Sequence, residues 1–162
     1  MEPSDIASAI SSFRCGKVCI TGGEPLIQPQ LNTLLQLLDD FTVSIETNGT
    51  IDLDIIKKGE RHSFIMDVKT PSSGCSDRLA ADNFKKLEET DEIKFVIGNK
   101  SDYDWARSVI DRLYVKGGIT FSPVFGSVPY NEFAAWIIRD RLDVRFQIQL
   151  HKIIWGPDAR GV

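Results

Sequence analysis

The chain has 162 residues, a formal net charge of −4, 42% hydrophobic residues and 26% charged residues. This length suits one domain, and the acidic balance argues against a nucleic-acid-binding surface. No apolar run approaches the ~20 residues of a membrane span, and the first residues do not look like a signal peptide. The 3 cysteines are irregularly spaced and do not make a disulfide framework. We therefore expect a single cytoplasmic domain over residues 1–162.

Apolar runs and helical stripes alternate along the chain. Strands are predicted at residues 17–21, 42–46, 64–69, 92–97, 119–122 and 144–150. Helices are predicted at residues 3–13, 31–41, 52–58, 79–87, 105–113 and 133–138. Because strands that alternate with helices form parallel sheets with right-handed crossovers, the predicted fold class is α/β.

The first predicted strand ends in Gly22, Gly23 and Glu24. Glycines let a ligand approach the backbone closely, and parallel α/β sheets bind their ligands at the carboxyl ends of strands. An acid beside exposed backbone suits an amino-bearing or zwitterionic ligand better than a phosphate. The alternative is a tight turn with a solvated glutamate, and this short motif alone does not decide between them.

Polar residues also end several other predicted strands. Five fall at or near carboxyl ends: Thr21, Glu46, Asp67, Lys69 and Ser122. In a barrel-like sheet these ends open into one mouth, which is the layout of an active site. Any one of them could instead cap its strand or pair with a neighbour, as Asp67 could with Lys69. The five together favour a site.

Six segments, in this order, resemble the radical S-adenosylmethionine superfamily and, within it, the 7-carboxy-7-deazaguanine synthase family. They are Thr-Gly-Gly-Glu-Pro (21–25), Glu-Thr-Asn-Gly-Thr (46–50), Asp-Val-Lys-Thr-Pro (67–71), Lys-Phe-Val-Ile (94–97), Ser-Pro-Val (122–124) and a tail from Gln-Leu-His-Lys (149–152) to Arg-Gly-Val (160–162). The resemblance implies a partial (β/α) barrel of parallel strands. The chain resembles the part downstream of the first barrel strand and the cluster loop, so it is expected to be a truncated barrel domain.

The cysteines depart from the family pattern. Members carry Cys-x3-Cys-x2-Cys upstream of the Gly-Gly-Glu-Pro strand, where three thiolates hold a 4Fe–4S cluster. Here Cys15 and Cys19 are separated by three residues, as in the first part of the motif, but no cysteine follows three positions after Cys19. The third cysteine, Cys75, is distant in the sequence. We expect no metal ligand in this chain and interpret the three as small, semi-buried thiols.

The resemblance also implies a set of binding residues. Those expected to bind S-adenosylmethionine are Gly23, Glu24, Asp67, Val68, Lys69, Ser122, Pro123, Val124 and Phe125. The first two would hold its amino group, the next three its ribose and carboxylate, and the last four its adenine, largely through backbone. Thr21 and the terminal carboxylate of Val162 would contact the substrate. No catalytic residue is assigned.

The implied reaction is the radical ring contraction of 6-carboxy-5,6,7,8-tetrahydropterin with loss of ammonia, which feeds queuosine and archaeosine synthesis. The implied cofactors are S-adenosylmethionine, a 4Fe–4S cluster and Mg²⁺, but the main ligands of the last two are missing from these residues. The implied partners are the pterin, a flavodoxin- or ferredoxin-type electron donor and a second copy in a homodimer. We expect no nucleic-acid or membrane partner, and no turnover by the chain alone.

Three interpretations follow. The favoured one is an enzyme whose cluster-binding segment lies upstream or on another polypeptide. A glycyl-radical-activating enzyme is disfavoured by the Lys-Thr-Pro loop and by the tail. The third is a degenerate scaffold or binding subunit with the same fold, in which helix 3–13 would cover the open edge of the sheet.

Overall fold

The structure, a computed structural model, describes residues 1–76, 80–113 and 116–160. Within those residues, six strands pair in parallel in one sheet, in the order β1-β2-β3-β4-β5-β6. The strands are β1 (Lys17–Ile20), β2 (Thr42–Thr47), β3 (His62–Val68), β4 (Glu92–Ile97), β5 (Gly118–Pro123) and β6 (Arg145–Phe146). Because the spatial order follows the chain and the sheet is not closed, the fold is an open β/α barrel. The predicted fold class is confirmed.

One helix precedes β1, and the others connect the strands or follow β6. The α-helices are α1 (Pro3–Ser12), α2 (Leu31–Leu37), α3 (Asn83–Lys86), α4 (Lys100–Arg112), α5 (Tyr130–Asp140) and α6 (Leu150–Trp155). Short 3-10 helices occupy Pro25–Ile27, Leu53–Ile55 and Pro71–Ser73. In the part of the chain that the structure describes, no helix is long and apolar enough to cross a membrane.

One face of the sheet carries the hydrophobic core. Val43 and Ile45 of β2 and Phe64, Met66 and Val68 of β3 are buried at alternate positions, and they pack with apolar helix residues in a single cluster. Burial of each such side chain contributes roughly 1.5–3 kcal/mol. This face therefore supplies most of the stabilisation, and it leaves the other face free for polar residues.

The opposite face of the sheet is largely polar, and we call it the polar face. By strand alternation and register it carries Cys19, Ser44, Glu46, Ser63, Asp67, Glu92, Lys94, Thr120, Ser122 and Arg145. Thr21 and Lys69 extend its rows just beyond β1 and β3. Polar side chains from all six of these strands thus share one side of the sheet, as the strand pattern predicts.

The predicted strand at 144–150 is wrong over most of its length. Only Arg145 and Phe146 pair with β5, and Leu150 already begins α6. The last hydrogen bond of the ladder is the one that Gln147 N–H donates to the Phe121 carbonyl at 3.0 Å. The next donor would be residue 123 of β5, and because this residue is a proline it has no N–H to donate. Alternating apolar residues over 144–150 resembled a strand, but an edge position with a single neighbour does not sustain one.

Three helix predictions also need correction. The helix expected at 52–58 is only the 3-10 turn Leu53–Ile55. Phe13, assigned to the apolar face of the first helix, lies after its end and is 78% exposed. The helix expected at 79–87 is the short α3, and Leu79 lies outside the described residues. α1 itself packs against α2.

Candidate functional site

The turn after β1 presents open backbone. Gly22 and Gly23 have φ angles of 98° and 55°, in the left-handed region that side chains disfavour. A Cβ added at either position would meet no atom within 4 Å. Backbone conformation, rather than crowding, therefore requires glycine here, and the open space leaves both peptide groups accessible to a ligand.

The Glu24 carboxylate joins this turn to the turn after β2. Its Oε1 accepts hydrogen bonds from Leu26 N–H at 3.1 Å and from the Thr47 hydroxyl at 2.9 Å. Its Oε2 accepts from Asn48 N–H at 2.8 Å. Glu24 thereby caps the 3-10 helix Pro25–Ile27 and fixes the position of the glycine turn.

Thr21 and Glu46 meet on the polar face. The Thr21 hydroxyl donates to Glu46 Oε2 at 3.1 Å, and Thr21 is exposed while Glu46 is half-buried. The hydroxyl proton is directed at the carboxylate, which leaves the lone pairs of the Thr21 oxygen free to accept a hydrogen bond from a ligand. The predicted proximity of these two strand ends is confirmed.

The end of β3 presents an ion pair. Lys69 Nζ donates to Asp67 Oδ2, so the pairing considered from the sequence is present. Asp67 Oδ1 is buried and has no hydrogen-bond partner among the described residues. Val68 points the other way, is fully buried in the core and can reach a ligand only through its backbone. The 39% exposed side chain of Lys69 is the accessible group here, and Asp67 Oδ1 is a buried acceptor left without a partner among the described residues.

A buried carboxylate holds the loop that follows β3. Asp102, 1% exposed at the start of α4, accepts from Ser72 N–H and Gly98 N–H at 3.1 Å each, and from the Ser72 hydroxyl. Burial opposes ionisation, but the hydrogen bonds outweigh it and lower the pKa of Asp102 below its usual range. The segment that carries Lys69 is thus fixed to the end of β4.

The end of β5 passes from core to surface. Ser122 and Pro123 are buried, Val124 is 39% exposed and Phe125 is half-buried. Val124 N–H donates to the Ile97 carbonyl at 2.9 Å, and Lys152 Nζ lies 5.8 Å from the centre of the Phe125 ring. Val124 and Phe125 therefore offer the accessible apolar surface of this segment.

The predicted site residues fall into three groups at the carboxyl ends of the strands. Thr21, Gly23 and Glu24 lie with Glu46 at β1 and β2, the 67–69 segment lies at β3, and 122–125 lies at β5. No hydrogen bond within the described ranges links Ser122 to the first two groups. Val162 lies outside the described residues.

Sequence reasoning missed Thr47 and Asn48 and treated both as turn residues. Thr47 is only 2% exposed, and by strand alternation it lies on the core side of β2, opposite to Glu46. Asn48 Oδ1 also accepts from Thr50 N–H at 3.0 Å, which closes an Asx turn. In the sequence, Thr47 continues the core-side positions of β2 after Val43 and Ile45, and this alternation was the signal that could have identified it.

The described cysteines do not fit a 4Fe–4S cluster. Cys15, Cys19 and Cys75 are exposed, which corrects their interpretation as semi-buried. Within residues 1–76, 80–113 and 116–160, no three His, Cys, Asp or Glu residues are grouped to hold a metal ion. Partial desolvation, reinforced by Glu46, raises the pKa of the Cys19 thiol and disfavours the thiolate that iron requires.

The donor set does fit the polar ends of S-adenosylmethionine. The open Gly22–Gly23 backbone offers carbonyls to an ammonium group, and Lys69 offers a charge to a carboxylate. The unpartnered Asp67 Oδ1 offers an acceptor to a hydroxyl. An open β/α barrel with this glycine turn fits the radical S-adenosylmethionine superfamily.

Comparison with curated proteins gives the family. A 7-carboxy-7-deazaguanine synthase of Chlorobaculum tepidum is 41% identical over 169 aligned residues, which cover 100% of this chain and 76% of the relative. The Clostridium acetobutylicum enzyme of the same name is 40% identical, with the same coverage. That of Thermoplasma acidophilum is 35% identical over 98% of this chain and 76% of its own length. The chain belongs to the 7-carboxy-7-deazaguanine synthase family. No family model matches it.

Proposed function

We propose that this chain, as a single domain over residues 1–162, provides the S-adenosylmethionine- and pterin-binding part of a 7-carboxy-7-deazaguanine synthase. The observation that carries the proposal is the open, left-handed turn at Gly22 and Gly23, fixed at the carboxyl end of β1 beside the polar face. Family membership supplies the reaction, the ring contraction of 6-carboxy-5,6,7,8-tetrahydropterin.

Each group of residues then has a task. The backbone carbonyls around Gly23 and Glu24 accept from the ammonium group, and Lys69 attracts the carboxylate of the same ligand. Asp67 Oδ1 accepts from a ribose hydroxyl, with Val68 contributing backbone. S-Adenosylmethionine supplies the hydrogen-abstracting chemistry when it is bound, and the protein holds it in orientation and excludes water.

The remaining predicted contacts complete the site. Ser122, Pro123, Val124 and Phe125 receive the adenine, for which the partly exposed Phe125 ring gives an apolar surface. Thr21, oriented by Glu46, accepts from an N–H group of the pterin. The terminal carboxylate of Val162, at the end of the tail, contacts the substrate in this proposal.

Turnover of the pterin requires ligands for a 4Fe–4S cluster and for Mg²⁺, which the described residues do not provide. The described cysteines are scattered, so ligands for the 4Fe–4S cluster and for Mg²⁺ come from outside the described residues or from another chain. We propose that the 162-residue chain alone does not turn over. A flavodoxin- or ferredoxin-type donor, a homodimer and a cytoplasmic location complete the proposal.

Calorimetric titration with S-adenosylmethionine tests the binding site. Lys69→Met removes the cation that faces the ligand carboxylate, and we expect the dissociation constant to rise about tenfold, the equivalent of ~1.4 kcal/mol. Lys85→Met is the matched control, since Lys85 is 81% exposed in α3 and, among the described residues, pairs with the equally exposed Asp82. Equal affinity of Lys69→Met and wild type would contradict the assigned role of Lys69.

A second candidate is a non-catalytic binding subunit that keeps the fold. The observation that favours it is the exposed, scattered set of cysteines, which leaves the described residues without a cluster site. Titration with the tetrahydropterin separates the two candidates. An enzyme part binds it with S-adenosylmethionine present, whereas a scaffold that kept only the nucleoside pocket does not.

A further inference from the structure

The Glu24 carboxylate has little capacity left for a ligand. A carboxylate offers about four acceptor positions. Leu26 N–H and Asn48 N–H take two, and the Thr47 hydroxyl lies within hydrogen-bond distance of both oxygens, at 2.9 and 3.1 Å. The carboxylate is therefore largely satisfied by its own chain before any ammonium group arrives.

The direction of the side chain supports the same conclusion. Glu24 reaches Thr47, which lies on the core side of β2 and is 2% exposed, whereas Thr21 and Glu46 lie on the polar face. The carboxylate thus points beneath the strand ends, away from the mouth. What remains at the mouth is the open backbone of Gly22 and Gly23.

Thr47 links the turn after β1 to the turn after β2 through hydrogen bonds. Its hydroxyl oxygen accepts from Gly49 N–H at 3.2 Å, and its proton is donated to Glu24. Asn48 N–H binds the same carboxylate directly. Hydrogen bonds to a charged acceptor are stronger than neutral ones, so this set of bonds fixes the glycine turn relative to the end of β2.

We propose that Thr47 and Asn48 are positioning residues for the amino-acid end of S-adenosylmethionine, and that they act through the Glu24 carboxylate while the turn backbone makes the ligand contacts. This assignment rests on the proposed function of the same site. It predicts that a buried hydroxyl, remote from the polar face, affects binding at the mouth. It also separates the role of the Glu24 side chain from that of its peptide groups.

Thr47→Val tests the proposal, because valine keeps the shape of the side chain and removes the hydroxyl. Thr47→Ser keeps the hydroxyl. Thr50→Val is the matched control, since Thr50 belongs to the same turn and its hydroxyl makes no hydrogen bond within the described part of the chain. Each variant is titrated with S-adenosylmethionine and with 5′-methylthioadenosine, which lacks the amino-acid end.

We expect Thr47→Val to raise the dissociation constant of S-adenosylmethionine about tenfold, because one charge-assisted hydrogen bond is lost. The dissociation constant of 5′-methylthioadenosine should stay within about twofold of the wild-type value. Thr47→Ser should restore wild-type affinity, and Thr50→Val should match wild type. Wild-type affinity of Thr47→Val with a loss in Glu24→Gln would mean direct contact by the carboxylate and would overturn the proposal. Equal loss of both ligands would mean general damage to the fold and would also overturn it. If wild type binds neither ligand, the proposed function itself fails.

Discussion

Asp102 is a buried carboxylate whose energetic role can be isolated at the level of one residue. It receives two backbone N–H groups and one hydroxyl from the loop after β3 and the end of β4. Asp102→Asn replaces one acceptor oxygen with an NH₂ group that faces these donors. Since a hydrogen bond to a charged group contributes about 1.5–3 kcal/mol, we expect the free energy of unfolding to fall by about 2 kcal/mol. Urea denaturation at pH 7 measures this change.

The dependence on pH gives a second check on Asp102. Its pKa is lowered in the folded state, so its stabilisation is present above the unfolded-state pKa of about 3.9 and is lost as the pH falls through the folded-state value. The stability difference between wild type and Asp102→Asn should therefore shrink on acidification. Asp104→Asn is the control on the same helix, and its 51% exposed carboxylate should change stability by less than about 0.5 kcal/mol. A difference that grows at low pH would refute this account.

At the level of elements, the junction between β4 and β5 depends on Gly117. A Cβ there would lie 2.0 Å from the Asp91 carbonyl oxygen and 2.9 Å from that of Glu88, so the backbone would have to shift. Gly118 N–H donates to the same Asp91 carbonyl at 2.9 Å, and this bond begins the pairing of β5. We expect Gly117→Ala to destabilise the chain by about 1–3 kcal/mol or more.

The neighbouring glycine provides the control for Gly117. A Cβ at Gly118 would lie 4.0 Å from Glu92 Cγ, which is ordinary contact, so Gly118→Ala should stay within about 0.5 kcal/mol of wild type. Thermal or urea unfolding of the two variants measures the contrast. Similar stabilities for both would show that the backbone at Gly117 relaxes without cost.

Strand pattern predicted most of the sheet because it reports burial directly. Val43 and Ile45 alternate with Ser44 and Glu46, and this period of two fixes which side faces the helices. The same reasoning failed at 144–150, where the apolar period was present but Pro123 in the neighbouring strand could not extend the ladder. A sequence window contains no information about which strand will be its neighbour.

The candidate site was predictable only in part, for a related reason. The strand ends Thr21 and Glu46 were placed together correctly, because parallel strands in one sheet end at the same edge. Glu24 was predicted to bind a ligand, and the structure adds what the sequence did not predict: its carboxylate accepts hydrogen bonds from the Thr47 hydroxyl and Asn48 N–H. The bonds that join separate turns depend on side-chain direction at the end of a strand, which neither propensity nor periodicity determines.

At the scale of the whole molecule, the fold separates stability from chemistry. The apolar face of the sheet holds the core, and the polar face holds the candidate ligand groups at the carboxyl ends of the strands. None of the contacts proposed for these groups depends on a thiolate, so the proposed site does not need iron to hold its ligand. We therefore expect binding of S-adenosylmethionine and assembly of a cluster to be separable.

This separation predicts the result of anaerobic reconstitution with iron and sulfide. A 4Fe–4S cluster needs a compact set of thiolates, whereas Cys15, Cys19 and Cys75 lie apart along the chain and are exposed. We expect the bound iron to equal that of a variant in which all three cysteines are replaced by serine, and we expect no cluster signal in electron paramagnetic resonance after reduction. S-Adenosylmethionine should bind the two proteins equally well in parallel titrations. A reducible cluster that forms in wild type and is lost in the serine variant would show that these three cysteines come together, and would refute the separation of binding from cluster assembly.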